Sequence, residues 1–157
     1  MRKDAYREIF APDNRSLFQI MIFDTSLGDW QTLLNYLGTN YLLTYTEDGS
    51  PAFLPDAEKI FQMRDEKSVA LKVMLLGFTV NTHFFSQHEI EMDLLPEDVN
   101  SSDKAEAVFR LMIEIARLFN KDVFLTPEFG IATPEQLRAI AVCVADPRDR
   151  SIYSRLA

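Results

Sequence analysis

With 157 residues, 47% of them hydrophobic and 25% charged, the chain carries enough apolar material for one globular core and too much for a disordered segment. A net charge of −8 argues against a phosphate-neutralising nucleic-acid binder, and no apolar run approaches the roughly 20 residues of a membrane span. The lone Cys143 excludes an internal disulfide and a cysteine zinc site. Together with the charged start MRKDAYREIF, which has no secretory character, it points to a reducing cytoplasm.

Residues 1–15 read as a short helix or arm closed by the turn signal Pro12-Asp13-Asn14. Leu17 to Asp24 (LFQIMIFD) has the continuous apolar pattern of a strand buried on both faces. Ser26 and Asp29 then form a capping pair ahead of Trp30, Leu33, Leu34 and Leu37 at helical spacing. Gly38 is expected to end that helix. Tyr41 to Thr46 is β-rich and stops at the turn Glu47-Asp48-Gly49; Tyr41 and Tyr45 would share a face and line a sheet edge or a partner surface. Pro55 to Met63 suits a short helix with Ile60 and Phe61 inward.

The segment from Ser68 to Leu95 carries the architecture. Met74, Leu76, Phe78, Val80, Thr82 and Phe84 share one parity and are mostly apolar, whereas the other parity turns polar after Gly77. This predicts one long strand. After the break Ser86-Gln87-His88, Glu89 to Leu94 alternates cleanly and completes a hairpin. Matching the apolar faces pairs Phe84 with Ile90, which sets His83 opposite Glu91 and Asn81 opposite Asp93. Ser101 and Ser102 introduce a second helix over Asp103 to Asn120, and Asp122 to Thr126 reads as a strand closed by Pro127. Thr133-Pro134-Glu135-Gln136 resembles a helix start, yet Ile140, Val142 and Val144 alternate. A turn of helix followed by an additional C-terminal strand accommodates both, and residues 148–157 would be a mobile tail.

The expected fold is therefore a single α+β domain over residues 1–157. Its sheet is mainly antiparallel, with two long helices on one face in the ferredoxin-like, split βαβ order. Such a fold hosts too many activities to name one.

The hairpin's polar face gathers Asn81, His83, Glu91 and Asp93, with Thr79 and Glu89 at its margins. A histidine beside carboxylates has the chemistry of a general base, so these four are the catalytic candidates; the plainer explanation is the wet side of a half-buried sheet. A metal would need a third nitrogen or more carboxylates, and His88 sits in the turn with the wrong reach, so no metal and no cofactor are expected. Nucleophile elbows, P-loops and dinucleotide fingerprints are absent. Cys143, inside AIAVCVA, reads as core. Acids concentrate over Glu89–Glu106, where seven face only Lys104, a local −6 within the total of −8.

These features lead to a non-enzymatic interaction or accessory module, immunity-like in general character only. It would present Glu89, Glu91, Asp93, Glu97 and Asp98 to a basic protein partner. One alternative is a hydrolase or isomerase using His83 with Glu91 or Asp93. Another is a small-ligand-binding or homodimerising regulatory domain.

Overall fold

The computed structural model describes residues 5–10, 17–127, 135, 143–148 and 152–154. They fall in two compact units, one made of residues 23–92 and the other of 1–22 with 93–157. The class is α+β with antiparallel strand pairing, as expected.

In the 23–92 unit, helix α2 (Leu27–Asn40) starts as the sequence predicts. The Ser26 hydroxyl accepts from the Asp29 N–H at 3.1 Å while the Asp29 carboxylate accepts from the Ser26 N–H at 3.0 Å, a complete capping box. Trp30, Leu33, Leu34 and Leu37 are buried along one stripe. Gly38 does not end the helix, which runs on to Asn40. A helical glycine costs only about 1 kcal/mol, and the Tyr41 N–H still closes on the Leu37 carbonyl.

Strand β2 (Leu43–Glu47) follows, then the two-residue β3 (Ser50–Pro51), helix α3 (Ala57–Met63), β4 (Val69–Leu75), β5 (Phe78–His83) and β6 (Glu89–Leu94). The strand order here is β3-β2-β4-β5-β6. Tyr45 is buried, and Tyr41 lies before β2 with its ring edge-on to Tyr36, so the expected tyrosine row does not form.

The predicted single strand through Gly77 is two strands. Leu75 pairs with Phe78 across a two-residue turn, with φ of 30° at Leu76 and 83° at Gly77. Positive φ at both central residues is the requirement of the tightest hairpin turns. Such a turn inverts parity: Leu71, Val73 and Leu75 are buried on β4, and Phe78, Val80 and Thr82 on β5. Met74 and Leu76, assigned to the apolar face from the sequence, are exposed.

Trp30, Phe61 and Phe84 form the aromatic centre of this unit, with ring centroids 5.0–5.9 Å apart and two of the three contacts edge-on.

In the other unit, α1 (Ala5–Ile9) buries Ile9 and brings Phe10 against Phe18 and Phe109, at 5.6 and 5.9 Å. Strand β1 (Phe18–Phe23) pairs with β7 (Val123–Pro127), Ile20 facing Leu125. Helix α4 (Ser102–Phe119) packs against β7. Its cap is the Ser101 hydroxyl, which accepts from the Lys104 N–H, and it closes at Asn120 in the left-handed conformation.

The additional C-terminal strand is present as β8 (Cys143–Ala145), with Cys143 buried and facing Leu125. The stretch expected as a tail contributes β9 (Ile152–Ser154), paired with β8. The predicted helix start at Thr133-Pro134 lies outside the described residues. The strict split βαβ order is not reproduced, because five strands and α3 lie between α2 and α4 where that order has two strands.

Candidate functional site

The outer face of the 23–92 sheet follows from burial. On β5, Phe78, Val80 and Thr82 are buried while Thr79, Asn81 and His83 are half-exposed; on β6, Ile90 and Met92 are buried while Glu89 and Glu91 are half-exposed. Side chains alternate across a strand, so Asn81, His83, Glu89 and Glu91 share the side turned from the core. Lys72 stands opposite Asn81 on β4, placing a positive charge toward that strand and the carboxylates toward β6. Three of the four catalytic candidates thus occupy one face.

Asp93 does not join the exposed acids. It is only 6% exposed, because Met92, Asp93 and Leu94 are all buried and β6 loses its wet side at its C-terminal end. The clean alternation over 89–94 holds only to Met92. Of the other partner candidates, Glu97 is exposed and Asp98 half-buried in a short 3-10 turn over Pro96–Asp98. Asp103 and Glu106 are exposed, and Asp103 lies in the first turn of α4, where the helix dipole favours a negative charge.

The connection from β5 to β6 is tightly specified, and sequence reading passed over the residues that hold it. Five successive carbonyls each receive a donor. Arg64 Nη1 donates to the Phe84 oxygen at 2.8 Å and also to the Phe85 oxygen. Trp30 Nε1 donates to the Ser86 oxygen at 3.0 Å, the Thr25 hydroxyl to the Gln87 oxygen at 2.7 Å, and the Thr25 N–H to the His88 oxygen at 3.0 Å. Arg64 caps the C-terminus of α3 and also lies 5.1 Å over the Phe61 ring. One signal for this was in the sequence: a buried tryptophan needs an acceptor for its ring N–H.

With its main chain held inward, the loop turns Phe85 outward, 62% exposed. The Phe85 ring stacks on the His83 imidazole with centroids 5.0 Å apart and planes within 7°. Phe85 lies two residues past His83, where β5 has ended and the chain bends into the loop. His88, the other histidine, is exposed in the same loop. Among the described residues no three His, Cys, Asp or Glu side chains are grouped to hold a metal ion.

Two further features belong to this unit. The buried Tyr45 hydroxyl donates to Glu47 Oε2 at 3.1 Å, and Glu47 lies 3.6 Å from Lys67. Burial, then the hydrogen bond to and negative charge of Glu47, push the tyrosine from its usual 10.0 up to about 12.

Between the starts of α2 and α3 lies an open groove of about 580 Å³ lined by Leu27, Gly28, Gln31, Asn35, Asp56, Ala57 and Glu58. Gln31 bridges it, Oε1 accepting from the Ala57 N–H at 2.8 Å and Nε2 donating to Asn35 Oδ1 at 2.9 Å. None of the sequence-predicted site residues lines this groove.

No helix among the described residues is long and apolar enough to cross a membrane. The chain matches no known protein family, no curated protein and no solved structure.

Proposed function

We propose that the protein is a non-enzymatic interaction module whose outer β5–β6 face docks a basic protein partner. The observation carrying this reading is the exposed Phe85 ring on a loop fixed at five carbonyls, leading into the strand that turns Glu89 and Glu91 away from the core. An aromatic flanked by charge on a rigid support has the make-up of an interface, where aromatic residues supply contact area and charges steer approach. Asp93, being buried, supports the fold and not the contact.

The test is affinity capture of partners by the wild type, followed by binding to the Glu89→Lys/Glu91→Lys double variant. Binding should fall at least about tenfold and weaken with salt, since charge reversal opposite a base costs several kcal/mol. Undiminished binding at low salt would refute the reading. Asp93→Lys is unsuitable for this test, because a buried lysine would compromise the fold.

The α2–α3 groove favours a second reading, a small-ligand-binding domain. Its carboxylates and amides suit a polar cation. A thermal-shift survey of small cationic compounds against the wild type and Asp56→Asn/Glu58→Gln tests it. Stabilisation equal in both proteins would remove the groove from consideration.

A further inference from the structure

We infer that the β5–β6 face selects arginine over lysine in its partner, the guanidinium lying on the free side of the Phe85 ring and pairing with the Glu89 carboxylate. This rests on the reading of that face as the docking surface, and it names the chemistry that the surface reads.

Three observations carry it. Phe85 is 62% exposed although one side of its ring is covered by the His83 imidazole at 5.0 Å, so its other side is offered to solvent. An aromatic ring with one side open to solvent is an attractive site for a flat, weakly hydrated cation, and guanidinium meets that description far better than an ammonium. Next, the neighbouring charges are of the right sign. Glu89 and Glu91 alternate with buried Ile90 and Met92 on the adjoining strand, while Lys72 lies on the far side of Asn81. A planar fork that stacks on the ring while its N–H groups meet a carboxylate uses both neighbours at once; a lysine point charge uses only the carboxylate. Finally, the Phe85 main chain is immobilised by Arg64, and the three carbonyls that follow by Trp30 and Thr25. Little ordering entropy is then left to lose when the ring is covered.

An apolar partner segment would fit a different place. The exposed Leu42, Met74 and Leu76 lie toward the opposite end of this sheet face, where the Leu42 carbonyl accepts from the Met74 N–H and the nearest paired residue is the uncharged Thr79.

The test measures binding of an arginine homopeptide and a lysine homopeptide of equal length to the full chain at low salt. The proteins compared are the wild type, Phe85→Leu and Glu89→Gln/Glu91→Gln, each verified as folded by circular dichroism and thermal melting. The arginine peptide should bind the wild type about fivefold more tightly. Phe85→Leu should abolish that preference while leaving the lysine peptide within about twofold of its wild-type affinity. Glu89→Gln/Glu91→Gln should weaken both peptides. Equal affinities in the wild type, or a preference that survives Phe85→Leu, overturn the arginine inference and leave the acidic docking surface standing. Failure of both peptides to bind, or undiminished binding to the glutamine double variant, overturns both.

Discussion

Leu76 occupies a backbone position that leucine should not hold, and replacing it should make the protein more stable. Two hairpin turns among the described residues share one design. In the first, Asp48 and Gly49 have φ of 51° and 80° between the paired Glu47 and Ser50; in the second, Leu76 and Gly77 have φ of 30° and 83° between Leu75 and Phe78. Asp and Asn tolerate the left-handed region, while a residue with an ordinary Cβ is penalised by about 1–2 kcal/mol there. Leu76 is 60% exposed, so little burial is lost on substitution. Leu76→Asn should therefore gain about 0.5–1 kcal/mol, the asparagine itself retaining part of the penalty. For a chain of 157 residues that is a rise of about 1–4 °C in Tm.

Urea denaturation should show a higher midpoint at unchanged slope. Two companions sharpen the test. Gly77→Ala has nothing within 4 Å of the added Cβ, so any loss is backbone strain, and it should cost about 1 kcal/mol or more. Asp48→Leu should cost about 2 kcal/mol, because it brings the same strain and also removes the carboxylate that accepts from the Ser68 N–H at 2.9 Å. A Leu76→Asn protein with native circular dichroism and no gain in stability would refute the reasoning.

Two other predictions concern the same unit. Tyr45 should ionise late, seen as a step near pH 12 in ultraviolet titration that Phe substitution removes. Because its folded value is raised above the unfolded one, the stabilisation is complete below about pH 10 and is lost as pH climbs to about 12. The full loss is at most about 2.7 kcal/mol, and Tyr45→Phe should flatten the stability profile in that window. Thr25→Val keeps the shape of the side chain and deletes its bond to the Gln87 carbonyl. It should cost about 1 kcal/mol in urea denaturation and weaken arginine-peptide binding, and an unchanged midpoint would show that this tether contributes nothing.

How much of this was legible in the sequence can be judged residue by residue. The α2 start was, because Ser26, Asp29 and the Trp30–Leu37 stripe state one local rule each and all agree. The β4–β5 turn was not, because Leu76 lacks turn chemistry and the apolar run continues through it. The clue was Gly77, after which the polar residues moved to the other parity; a strand cannot change faces without a turn or bulge.

The polar face was read correctly for Asn81, His83 and Glu91 and wrongly for Asp93. Alternation reports which side a residue faces, while burial of both sides at a strand's end depends on distant parts of the chain. Phe85 escaped notice for the opposite reason, since an aromatic beside Phe84 looks like core until the loop's direction is known. Thr25, Trp30 and Arg64, which set that direction, lie 20–63 residues away from their acceptors, beyond any local pattern.

The loop held at five consecutive carbonyls separates shape from content. Its path depends on groups donated to its backbone, so replacing Phe85, Gln87 or His88 removes none of the donors that define it. A lineage could exchange those outward side chains one at a time and keep the scaffold intact, changing whom the protein meets without relearning how to fold. Diversity among natural variants should then gather at positions 85, 87 and 88, with Thr25, Trp30 and Arg64 held constant beneath them.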